Sequence, residues 1–137
     1  MTPTVKLALL CDYALTSQEG KLSALGIFSQ MNFPMLPNAA PRFFVVIVLV
    51  LDAGSHPVRI GIVDPSGQHI LPEGPQAVVP VEVAGAETNL VVDFGNVVFS
   101  QPGLHQVQLY VSDLLVHTML LTVQVIGTEE FTPGRGN

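Results

Sequence analysis

The stretch from Phe43 to Leu51, FFVVIVLVL, constrains this chain more than any other feature. Its nine consecutive apolar residues are too few for a membrane-spanning helix, which needs about twenty. An uninterrupted β-branched and aromatic run of this length suits a central β-strand covered on both faces rather than an edge strand with one face in water.

The flanking sequence also reads as strands. No window sustains the three-four apolar spacing of a helix, and eleven prolines and twelve glycines punctuate the chain. Val5, Leu7, Leu9, Cys11 and Tyr13 alternate with Lys6, Ala8, Leu10, Asp12 and Ala14, which predicts a first strand with one apolar face. The turn SQEGK follows, with Gly20 placed for the positive φ of a tight connection. The run from Leu22 to Asn32 is expected to return antiparallel. Pro34, Pro37 and Pro41 then break the ladder.

Further strands are predicted over Val58–Val63, Ala77–Val83, Asn89–Phe99, Gln106–Val111 and Leu114–Val125, with a short segment at His69–Leu71. Asp64-Pro65-Ser66-Gly67 suits a type I turn, and Ser112-Asp113 a tight hairpin turn. About eight short strands with regular punctuation indicate an all-β fold, a two-sheet antiparallel sandwich of immunoglobulin-like type. A partly closed barrel is the alternative. Residues 1–126 form one domain in this reading, and 127–137 (GTEEFTPGRGN) a polar tail.

Two stretches carry a resemblance. LLCDYALTSQEGKLSALGIFSQMNFPMLP combines an opening strand, a Gly-Lys hairpin, a Leu-Gly-Ile-Phe strand and a proline-broken exit, and SQPGLHQVQLYVSDLLVHTMLLTV a Pro-Gly-introduced terminal hairpin. Together they resemble a family of small bacterial β-sandwich proteins of unassigned function. The resemblance rests on fold-forming residues, so it implies the sandwich and brings no active-site residues with it.

Composition narrows the function classes. A net charge of −6 with five Lys and Arg disfavours nucleic acid, which needs clustered cations, and disfavours anionic membranes for the same reason. Cys11 is the only cysteine, so an internal disulfide and a thiolate-rich zinc site are excluded. A cytoplasmic location is the expectation.

Chemistry-bearing motifs are sparse. Neither GxGxxG nor GxxxxGK[ST] occurs, and no GxSxG frames a serine. Cys11 is in phase with Leu7 and Leu9, which predicts a buried thiol rather than a nucleophile. His105 and His117 are the best candidate metal pair, but a turn centred on Ser112-Asp113 sets His117 opposite Gln108 and His105 on the other face. His56 and His69 sit near loops. Glu73, Glu82, Glu87 and Asp93 read as a solvated rim. No cofactor, metal or catalytic residue is therefore expected.

The expected function is a non-enzymatic structural or protein-interaction module that self-associates or binds another protein. In the last predicted strand Leu115, His117, Met119 and Leu121 share one alternating face while Leu114, Val116 and Leu120 occupy the other, so both faces are apolar. Leu115, His117, Met119 and Leu121 are the candidate self-association residues. The alternative is a small-ligand or carbohydrate-binding sandwich using loop residues such as Asn89, Asp93, Tyr110 or His117.

Overall fold

The computed structural model describes residues 2–71 and 74–126. Glu73 and the expected tail at 127–137 lie outside the described residues. No helix occurs among those residues, and none is long and apolar enough to cross a membrane. The strands are β1 (Thr4–Thr16), β2 (Leu22–Phe28), β3 (Gln30–Phe33), β4 (Asn38–Ala39), β5 (Phe43–Val50), β6 (Gly54–Val63), β7 (Gln76–Val81), β8 (Glu87–Phe94), β9 (Val98–Phe99), β10 (Gly103–Val111) and β11 (Leu114–Val125). Among the described residues eleven strands thus replace the expected eight or so. The excess comes from runs read as continuous. Ser29 separates β2 from β3, Gly95, Asn96 and Val97 separate β8 from β9, and β4 lies within the proline-rich crossing.

The first sheet has four strands in the order β2-β1-β5-β8, the second five in the order β3-β11-β10-β6-β7, and β4 pairs with β9 as a short ribbon. β5 is buried from Phe43 through Leu49, as its composition requires. Phe43, Val45, Ile47 and Leu49 enter the main core, where they meet Ile60, Ile62, Val107, Leu109, Leu121 and Val123 of the second sheet. Each such side chain contributes roughly 1.5–3 kcal/mol through burial. Phe44 and Val46 face the other way, into a second cluster with Cys11 and Ala14.

That second cluster exists because the β1–β2 hairpin reaches back over the outer face of its own sheet. Asn89 Nδ2 on β8 donates to the carbonyl of Gly20 at the hairpin tip, at 3.3 Å. Leu22 and Ala24 pack against the same cluster. Gly20 takes the positive φ expected of it, +85°.

β1 does not keep the single apolar face that its alternation predicts. A register shift between Val5 and Leu7 carries Val5 onto the main core, with Ala8 and Leu10, while Leu9 and Cys11 face the second cluster. A second change of phase follows: Cys11 and Ala14, three residues apart, are both buried in that cluster, whereas Tyr13 is exposed. It falls where Asp12 lies across from Gly26, whose φ is +69°. A Cβ at Gly26 would stand 2.8 Å from Asp12 Cγ, so the carboxylate occupies the space of the missing side chain.

β2 and β3 are one extended stretch that changes sheets at Ser29. β2 pairs antiparallel with β1, as expected, but β3 pairs parallel with β11 and not with β1. The link is held by Thr122 N donating to Ser29 O at 2.9 Å.

Candidate functional site

The terminal hairpin turns at Ser112-Asp113 as expected, with φ of +49° and +65°, a type I′-like geometry that matches strand twist. The register beyond it differs from a plain two-residue hairpin. Tyr110 pairs with Leu115, but Leu109 pairs with His117, so Val116 is the extra residue of a bulge. His117 therefore lies opposite Leu109 and not Gln108.

This bulge decides where the four candidate residues point. Met119 (9% exposed) and Leu121 (0%) lie in the main core and are not available as outer surface. Leu115 is half-exposed near the hairpin tip, and His117 is half-buried. The structure does not bring the four together on one outer face. Leu114, Leu115, Leu120 and Val125 are the exposed apolar residues of the strand, with Leu104 exposed on β10.

His117 instead belongs to a seam between the two sheets. β3 covers β11 only from Thr122 to Val125, so the preceding half of β11 and the whole of β2 have unpaired edges. Between them lies a recess of about 310 Å³ lined by Leu9, Ile27, Phe28, His117, Met119 and Leu120. Ile27 and Leu25 on β2 are each 64% exposed.

A second recess of about 240 Å³ lies on the outer face of the second sheet, lined by Pro57, Arg59, Gln76, Val78, Tyr110 and Asp113. Arg59 pairs across the strands with Tyr110 on one side and Gln76 on the other. Its guanidinium carbon lies 4.0 Å from the centre of the Tyr110 ring. Tyr110 is fixed in turn: its hydroxyl donates to Gln108 Oε1 at 2.6 Å, and Gln108 Nε2 donates to Gln106 Oε1 at 2.9 Å. Arg59 was not singled out by sequence reasoning, although its place between inward Val58 and Ile60 implies an outward side chain.

The remaining candidates are dispersed. Asn89 and Asp93 lie on β8 of the first sheet, while Tyr110 and His117 lie on strands of the second. They are strand residues, not loop residues, and do not form one site. Arg42 Nε and Nη2 hold the Asp93 carboxylate in a two-point contact. This hydrogen bonding keeps Asp93 below its ordinary carboxylate range. Glu87 pairs with Lys6 at 2.5 Å.

His105 is fully buried on β10, with Nδ1 3.1 Å from Gly103 O, Nε2 without a hydrogen-bond partner, and its ring edge-on to Phe99. It pairs with Leu121, as His117 does with Leu109. Both imidazoles are thus in the inward phase of the hairpin, contrary to the expectation of opposite faces. They stand four residue pairs apart, about 13 Å along the strand, too far to share an ion. Among the described residues no group of three or more His, Cys, Asp or Glu could hold a metal.

Cys11 is buried as expected, and burial pushes its thiol above the ordinary range. At the Asp64 turn, Oδ1 accepts from Ser66 N, Ser66 Oγ and Gln68 N at 2.9, 2.6 and 3.0 Å. The Ser66 hydroxyl is the main cause of a lowered Asp64 pKa.

No curated protein matches the chain. Among solved structures it is similar to a β-glucosidase from Listeria innocua in complex with isofagomine, at 16% identity and a TM-score of 0.48, over 70% of this chain and 15% of that one. It is also similar to the Pseudomonas fluorescens alkylpurine DNA glycosylase AlkC bound to DNA containing an abasic site analog, at 14% identity and a TM-score of 0.46, over 85% of this chain and 30% of that one. The chain therefore spans less than a third of either protein. Residues 6–124, which include both stretches that carry the sequence resemblance, match the profile of DUF6941. The chain belongs to DUF6941, a family of unknown function.

Proposed function

We propose that this protein is a non-enzymatic interaction module that self-associates by pairing β2 with the same strand of a second copy. The observation that carries the reading is the free edge of β2, Leu22–Phe28, which has neither a charged residue nor a proline. The other sheet edges carry devices that discourage pairing. β7 contains Pro80, β8 carries Glu87 and Asp93, β3 is four residues long with polar Gln30 and Asn32, and the part of β11 that β3 leaves uncovered is bulged at Val116.

A second copy fits this edge better than an unrelated chain does. Two β2 strands related by a two-fold axis place uncharged residues against uncharged residues, so a chain of net charge −6 meets its copy without like charges in the ladder. The positive φ at Gly26 kinks the edge. The ladder therefore runs along Leu22–Leu25, with Ile27 and Leu120 of the seam adding apolar contact.

The same reading takes the two large sheets as the halves of an immunoglobulin-like sandwich. A core drawn from both sheets supports it, as does a strand that changes sheets and then runs parallel to the last strand. It also places the protein in the cytoplasm, where a lone reduced thiol such as Cys11 persists.

The test is light scattering coupled to size exclusion on wild type and on a Leu25→Lys, Ile27→Lys double variant. Both side chains are exposed, so the fold is retained. A dimeric wild type and a monomeric double variant are expected. A wild type that is monomeric at every concentration, or a double variant that assembles equally well, overturns the reading.

A further inference from the structure

We infer that the recess between Arg59 and Asp113 binds a small zwitterion of the α-amino-acid class with an aliphatic side chain. This inference is independent of β2 pairing, since the recess lies on the outer face of the other sheet.

Arg59 carries the first part of the argument. Among the described residues Lys6 pairs with Glu87, Lys21 with Glu19 and Arg42 with Asp93, leaving Arg59 as the one Lys or Arg without a carboxylate. Its guanidinium is stacked on Tyr110 rather than left to solvent. Stacking uses the face of the group and leaves its in-plane N–H donors free, the edge that grips a carboxylate at two points. The ring beneath is immobilised by its hydrogen bond to Gln108, so the group is oriented before a ligand arrives.

Asp113 carries the second part. It lines the same recess yet makes no ion pair with Arg59. The turn that bears it is pinned by Ser112 N donating to Pro57 O at 2.8 Å. One small cavity thus presents a cation and an anion that leave each other unpaired. A ligand with a carboxylate and an ammonium satisfies both, while Pro57 and Val78, which pair on the outer face, offer aliphatic contact to its side chain. The overall field decides against a simple anion: a protein of net charge −6 repels it at long range, whereas a zwitterion of zero net charge meets no such barrier. A volume of about 240 Å³ admits one such molecule.

The experiment is a titration followed by amide NMR shifts on the full chain, using leucine, 4-methylpentanoate (carboxylate only) and 3-methylbutylamine (ammonium only). Saturable shifts are expected at Arg59, Gln76, Val78 and Asp113 with leucine, and about tenfold weaker binding of each single-ended probe. Arg59→Gln and Asp113→Asn should each weaken leucine about tenfold, with Arg59→Lys intermediate because charge survives without the two-point grip. The absence of saturable leucine shifts overturns the inference, and so does 4-methylpentanoate binding as tightly as leucine, or leucine binding that survives Arg59→Gln. The wild-type comparison of three probes decides the matter even if a variant misfolds.

Discussion

Asn89 on β8 holds the carbonyl of Gly20, 69 residues earlier in the chain, and so ties the tip of the first hairpin across the outer face of its own sheet. The contact explains how β5 comes to be covered twice. One face of β5 meets the second sheet, and the other meets the hairpin that precedes it in sequence.

The tether has a kinetic consequence at Cys11, which is fully buried beneath the hairpin with a thiol raised by burial. Local opening of the hairpin is what exposes it. Wild-type protein should react slowly with an aromatic disulfide reagent under native conditions, and Asn89→Ala should speed labelling while lowering global stability by only about 1 kcal/mol. Equal labelling rates in the two proteins would show that the tip does not guard the thiol.

Gly26→Ala should destabilise the protein by about 1–3 kcal/mol, because it forces a side chain into a left-handed conformation and against Asp12. Urea unfolding measures the loss. Combining it with Asp12→Ala should recover part of the cost, since the carboxylate is then gone. Strict additivity of the two changes would place the strain in the backbone alone.

Neighbouring leucines on β11 should respond in opposite ways. Leu121→Lys buries a charge in the main core and should prevent folding, whereas Leu120→Lys and Leu115→Lys should leave a folded domain. Far-ultraviolet circular dichroism and a cooperative thermal transition separate the cases. Folding of Leu121→Lys would refute the bulge-shifted register. Val46→Asp should fail likewise, since Val46 is fully buried against the hairpin.

Acid should weaken the fold through Asp64 and Asp93. Both are lowered in the folded state, Asp64 chiefly by the Ser66 hydroxyl and Asp93 chiefly by Arg42. Between the folded pKa and the unfolded value of about 3.9, the unfolded chain binds more protons, so stability rises with pH there. The contribution is fully present above the unfolded value and is lost as pH falls through the folded one. Asp93→Asn should flatten the acid limb of a stability-against-pH curve, and an unchanged limb would remove the Arg42 contact from the account.

Alternation, turn residues and the proline breaks were enough to find most of the strands, because these signals are local and each depends on a few adjacent side chains. The double coverage of FFVVIVLVL and the burial of Cys11 were legible for the same reason. Phase was not. The irregularity at Lys6, the break at Asp12 and Gly26, and the bulge at Val116 each change which face a side chain meets, and nothing in local hydrophobicity marks the extra residue.

The sequence by itself therefore determined an all-β chain, a doubly covered central strand and the hairpin turn at Ser112-Asp113. Only the tertiary structure decided that Met119 and Leu121 belong to the core, that β2 is an uncharged free edge, and that Arg59 shares a recess with Asp113. Strand formation depends on neighbours in sequence, whereas edges, registers and recesses depend on which distant strands pair, and that is settled by packing across the whole chain.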